Sequence, residues 1–205
     1  MTELCYQVSH NEELLRKYSD IVFKTADFMA SYAHFDSLNN RYVLGPLLIP
    51  AQERLPLATT INPPLELAYW YWGLKTAQEW CERLNLERKP EWDVVLEKLS
   101  PLAQKDGLYL AAESAPDSYE NPMYMSDHPV VLGAYGMIPV TPLVDSATMR
   151  QTFNYIWEHW RWEDTWGWDF PMTAMTATRL GMPDKAIYAW EWRIIMCHRY
   201  DVCRL

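Results

Sequence analysis

Apolar positions recur at helical spacing along most of the chain. Leu14, Leu15, Tyr18, Ile21, Val22, Phe28, Met29 and Tyr32 share one face of a helix predicted over residues 11–33. Ser9 followed by Glu12 matches the capping box that opens such a helix. The stretch HFDSLNNRYVLG then reads as a turn and a short extended segment. A second helix is predicted from Asn62, an N-cap residue, to about Leu84. Pro63 and Pro64 suit its first turn, and Glu66 complements the positive end of its dipole. Its first half, LELAYWYWG, is apolar on nearly every side and so predicts an enclosed helix, whereas Lys75, Gln78, Glu79, Glu82 and Arg83 make the second half amphipathic. A third helix starts at Pro90 and halts before Ser100-Pro101.

Residues 101–126 break the periodicity. DGLYLAAE reads as a turn and short strand, and SAPDSYENPMYMSD as a loop with two prolines. Long loops in compact domains are disproportionately functional. HPVVLGAYGMIP predicts a short buried helix whose glycines permit close packing. Asp145 caps a helix with Met149, Phe153, Ile156, Trp157 and Trp160 in one stripe. WRWEDTWGWDFP is a loop, Pro171 begins a helix of small residues ended by Gly181 and Pro183, and a final helix from Asp184 or Lys185 carries Ile187, Trp190 and Ile194. Seven helical signals and no useful β alternation predict an all-α protein, one helical domain over residues 1–205. Enclosed and amphipathic helices that alternate, joined by loops of unequal length, suit an α/α toroid. A plain helical bundle has the same periodicity.

Composition changes this picture. The chain has 205 residues, 49% of them hydrophobic, enough for one sizeable core and too few for two comfortable domains. Eighteen basic against 27 acidic residues, a formal charge of −9, with no basic run, argue against nucleic acid as a partner. No apolar run approaches the roughly 20 residues of a bilayer span, and the N-terminus lacks a basic flank followed by an apolar stretch, so no membrane partner is expected and the chain reads as cytoplasmic as encoded. Cys5, Cys81, Cys197 and Cys203 fit neither a disulfide framework nor a zinc ribbon. His10, His34, His128, His159 and His198 form no metal-ligand motif, so neither a structural metal nor a cofactor is expected. The 11 Trp and 13 Tyr residues suit a surface for flat, hydroxyl-edged ligands such as sugars, although a helical core also consumes aromatics.

Carboxylates set among apolar or aromatic residues are the candidate chemistry. Glu53 interrupts the proline-punctuated apolar loop GPLLIPAQERLPLATTINPP, whose Leu47, Leu48, Ile49, Leu55 and Leu57 would raise its pKa if they exclude water. A carboxylic acid protonated near neutral pH is what glycosidic bond cleavage requires. Pairing with Arg54 at the surface is the alternative role. Asp169, in TWGWDFPM, is the second candidate, since an inverting glycosidase needs a carboxylate to activate water; before Pro171 it also suits an N-cap. Glu163, Asp164 and Asp127 are weaker candidates. Trp160, Trp162, Trp166 and Trp168 could stack on a pyranose or pack their loop against helices. Gln52, Asp127, His128, Trp162, Trp166 and Trp168 are the candidate substrate-binding residues.

The order RYVLGPLLIPAQE, NPPLELAYWYWGLKTAQEW, DHPVVLGAYGMIP and WGWDFPMTAMTATRLGMPDKAIYAW resembles the C-terminal half of the catalytic domain in six-hairpin glycosidases. The likeness spans residues 1–193 and is nearest to bacterial proteins related to glycoside hydrolase family 65, with family 95 fucosidases more distant. It implies an (α/α)6 toroid that cleaves glycosides with inversion, or phosphorolyses them when phosphate replaces the activated water. Glu53 then corresponds to the general acid, Asn62 to the start of the helix behind it, and Asp169 to a region lining the same cavity.

Such toroids have twelve helices, and RIIMCHRYDVCRL departs from the family's pattern. The expectation is an incomplete toroid of about seven helices, a fragment or truncated product of a larger enzyme, self-associating through apolar helix faces. An export signal would belong to the parent enzyme. Two functional classes follow: the acid-bearing portion of a carbohydrate-active enzyme, or a non-catalytic carbohydrate-binding or assembly module descended from one.

Overall fold

The computed structural model describes residues 2–200, with side chains described through Trp192. Ile194, Cys197, His198 and Cys203 lie outside the described side chains. The described chain is all-α, 54% helix and 6% strand with eight α-helices. Its contacts group into two compact units, Met1–Val43 with Trp70–Ser100 and Leu44–Tyr69 with Pro101–Leu205.

The first unit contains α1 (Thr2–Ser9), α2 (Glu12–Tyr32), a hairpin of β1 (His34–Asp36) and β2 (Arg41–Val43), most of α3 (Pro64–Arg83), and α4 (Pro90–Lys98). The predicted capping box does not form, because Ser9 already belongs to the last turn of α1, where its hydroxyl donates to Cys5 O at 2.9 Å. Asn11 is the N-cap instead, accepting the Glu13 N–H at 2.8 Å. In α2, Leu15, Ala26 and Met29 face inward while Ile21 and Phe28 stay exposed, so the buried face is narrower than the apolar stripe. Glu3 anchors α1 by accepting from Trp80 Nε1 at 2.5 Å and Arg83 Nη1 at 2.8 Å. Gln78, expected on the outer face of α3, is buried because its amide matches the backbone of Lys89 twice, donating to its carbonyl at 2.8 Å and accepting its N–H at 3.0 Å.

The second unit begins with the loop from Leu44 and the start of α3. A minimal hairpin of β3 (Gln104–Lys105) and β4 (Leu108–Tyr109) turns at Asp106-Gly107, both at positive φ. A 3₁₀ turn over Val130–Leu132 leads into α5 (Gly133–Gly136), followed by α6 (Ser146–His159), a 3₁₀ turn over Trp162–Asp164, α7 (Asp169–Arg179) and α8 (Pro183–Tyr200). Every residue of α5 is buried, as its glycines suggested. At Gly136 a Cβ would strike the Thr176 hydroxyl and lie 3.1 Å from Met172 O, so only glycine allows α5 this close to α7. Asp145 caps α6 by accepting the Thr148 N–H at 2.8 Å, and Met149, Phe153 and Ile156 fill its inner face. Among the described side chains of α8, Ala189 is wholly buried, while Ile187 and Trp190 are half exposed. The small side chains of α7 admit α8 closely, and Trp192 of α8 packs edge-on against Phe170 of α7.

Asn62 departs from its expected role. It sits at φ +52, a conformation asparagine tolerates, two residues before α3 starts. Its Oδ1 accepts the Leu44 N–H at 2.8 Å, its Nδ2 donates to Glu113 Oε2 at 2.8 Å, and its own N–H donates to Leu44 O at 2.9 Å. It therefore clamps both ends of the 44–62 loop rather than capping the helix. Asn62→Ala removes two buried side-chain bonds and leaves the Leu44 N–H unanswered. The expected loss is about 2–3 kcal/mol of unfolding free energy, read from urea denaturation.

Candidate active site

The loop opens at Gly45, held at φ +87 and pressed against Thr60 O so closely that a Cβ would collide with it. Leu47 N–H donates to Leu57 O at 3.1 Å and Leu55 N–H to Gln52 O at 3.2 Å, which folds residues 47–57 into a compact projection. Leu48 and Leu55 point inward, Leu47 and Ile49 outward. Glu53 sits at its turn with an exposed side chain. The apolar neighbours thus do not enclose Glu53. Nor does it pair with Arg54 there: its anchored atom is its backbone N–H, which donates to Asp127 Oδ2 at 3.0 Å.

Asp127 organises the second half of the site. It adopts φ +67, and its side chain is buried. Besides Glu53, it accepts Trp166 Nε1 on Oδ1 at 3.0 Å, and its carbonyl accepts Trp160 Nε1 at 3.3 Å. Both carboxylate oxygens are used on protein groups, so Asp127 holds the Glu53 turn and the Trp166 ring together.

His128 Nδ1 lies 3.0 Å from each oxygen of Asp169, and its Nε2 lies 3.5 Å from Asp127 Oδ1. Asp169 is wholly buried as the first residue of α7 and accepts the Trp166 N–H on Oδ2 at 2.8 Å. Its carboxylate therefore turns back to the preceding loop and caps no helical N–H. Burial opposes charging of the His128 ring, but bonded Asp169, with Asp127 and Glu53 acting in the same sense, raises its pKa above the ordinary imidazole value. Burial raises the Asp169 carboxyl above the usual carboxylate range, against the lowering effect of the imidazole and the Trp166 N–H. Since Asp169 reaches no solvent, any base role for it passes through His128.

Trp168 packs against His128 with centroids 4.5 Å apart and planes at 32°, and Trp166 lies 5.9 Å away at 30°. Both indoles remain partly exposed, at 40% and 44%, and so offer free ring surface beside Glu53's anchor. Trp162 does not join them. Its Nε1 donates to Trp157 O at 3.3 Å, and its ring packs with Trp157, Phe170 and Trp192 in the aromatic cluster under α8. Gln52 is buried with its Nε2 donating to Tyr124 O at 2.8 Å, a brace for the turn. Glu163 and Asp164 pair with Arg161 at the surface.

Sequence reasoning missed the positive-φ backbone of Asp127 and the fastening role of Trp160. Alternation of tryptophan with charge was the only sequence signal for the latter. Among the described residues no three or more His, Cys, Asp or Glu side chains form a group able to hold a metal ion, and no helix is long and apolar enough to cross a membrane. No protein-family model matches the chain, and no curated protein matches it.

Proposed function

We propose that this chain is the acid-bearing portion of an inverting glycoside hydrolase of the α/α-toroid type. The observation that carries this reading is the juxtaposition within one unit of an exposed carboxylate, Glu53, and two half-open indoles, Trp166 and Trp168, all fastened to Asp127 or His128. Indole faces stack on pyranose rings, and an adjacent carboxyl can protonate a departing glycosidic oxygen. Glu53 is the general acid in this account. Asp169 orients His128, and the pair stands on the side where water is activated. The likeness to six-hairpin glycosidases supports the toroid and the role of Glu53.

Charge supports water over phosphate as the acceptor. Asp127 and Asp169 face one imidazole, so the cluster gains no net positive charge even with the ring protonated and Glu53 holding its proton. Such a field favours the oxocarbenium-like transition state of glycoside cleavage and repels an incoming anion.

The exposure of Glu53 favours a second reading, a carbohydrate-binding module that retains the stacking rings without turnover. Release from α- and β-linked aryl glycosides and disaccharides, with and without phosphate, separates the two. The enzymic reading expects turnover that phosphate does not accelerate and that Glu53→Gln lowers strongly on the disaccharides; binding without release would establish the module.

A further inference from the structure

One buried carboxyl has no part in the proposed reaction. Glu66, in the first turn of α3, folds back so that Oε1 accepts the Ala51 N–H at 2.9 Å. Its other oxygen, Oε2, is sealed from solvent and meets no donor. An ionised oxygen in that position would forgo hydration with nothing in exchange, so the geometry suits a neutral acid. Burial accordingly pushes the Glu66 carboxyl above its usual pKa, against the lowering effect of the Ala51 N–H.

The acceptor's place along the chain is what matters. Three consecutive residues are tied to three separate points: Ala51 N–H to Glu66, the Gln52 side chain to Tyr124 O, and Glu53 N–H to Asp127. Only the Glu53 side chain at the end of this series is left exposed. Besides its own backbone N–H, the Glu66 carboxyl reaches 15 residues back along the chain to the projection.

We propose that Glu66 is a positioning residue for Glu53, a sealed acceptor beneath the turn that fixes Ala51 and hence the direction in which the Glu53 carboxyl is presented. A neutral acceptor is all the role requires, so glutamine should serve and leucine should not. Its consequence for turnover rests on Glu53 being the general acid; the tether itself does not.

The test is amide hydrogen exchange on the full chain for the wild type, Glu66→Gln and Glu66→Leu. Glu66→Leu is expected to speed exchange at Ala51 by about tenfold or more, with α6 amides unchanged, and Glu66→Gln to stay within about twofold of wild type. Unchanged exchange at Ala51 in Glu66→Leu overturns the proposal, as does acceleration by Glu66→Gln equal to that by leucine. Should Glu66→Leu fail to fold, Glu66→Gln decides: retained Ala51 protection supports the sealed neutral acceptor and lost protection overturns it. With a substrate, Glu66→Leu is expected to lower kcat about tenfold or more at little change in KM, with Glu66→Gln restoring it. A wild type without turnover sinks the enzymic reading and leaves the exchange result to judge the tether.

Discussion

Asp169→Ala should cost about 3–5 kcal/mol of unfolding free energy, the largest stability effect expected of any single change in the site. The reason is the state in which it leaves its partners. His128 is 4% exposed and Asp169 0%, so the imidazole would be left buried with no carboxylate on Nδ1, and the Trp166 N–H would lose its acceptor. Asp169→Asn, which keeps the shape and an acceptor, should fall between. The effect carries a pH signature. Because the folded pKa of His128 is raised, the pair's contribution is fully present below the unfolded imidazole value of about 6.5 and is lost as pH rises through the folded value. Denaturation curves collected between about pH 5.5 and 8.5 should show the gap between wild type and Asp169→Ala narrowing with rising pH. A gap that widens would mean the proton does not reside on the ring.

The largest expected effect on activity belongs to Glu53→Gln. The substitution keeps size and backbone, and the Glu53 N–H that holds the turn to Asp127 is untouched, so the fold should survive. What disappears is a proton donor to the leaving oxygen, worth about 10²–10⁴-fold in rate. The loss should depend on the leaving group, being large for disaccharides and alkyl glycosides and small for aryl glycosides whose phenolate departs unaided. KM should change little, because the proposed binding surface is Trp166 and Trp168, both left in place by the substitution. Equal losses across all leaving groups would assign Glu53 to binding.

How much of this was legible beforehand varies with the physics involved. The helices of α2, α3, α4 and α6 follow from 3.6-residue periodicity and from Asp145 as a cap, both local properties. The burial of α5 follows from its glycines. Gln78 and Asn62 were misplaced because each answers backbone groups outside its own helix, at Lys89 and Leu44, which helical periodicity does not register. The same limit applies at the site. Glu53, Asp127, His128 and Asp169 were recognisable as candidates by residue type and surroundings, but the fastening of residue 53 to residue 127 through backbone and carboxylate is tertiary. Trp162, Trp166 and Trp168 alternate in one short loop, yet Trp162 packs with Trp157 and Trp192 while the other two flank His128, because the 3₁₀ turn over Trp162–Asp164 takes its ring to the α8 side.

The central claim is that the Glu53 cluster cleaves glycosides with inversion. Time-resolved proton NMR of the first sugar released from an anomerically pure glycoside by the wild type tests it most directly. The account predicts an initial product of the opposite anomeric configuration, formed at the same rate with or without phosphate and, from an alkyl glycoside or disaccharide, formed about 10²–10⁴-fold more slowly by Glu53→Gln. An initial product that keeps the substrate's configuration, or no release by a protein shown to be folded, would contradict it.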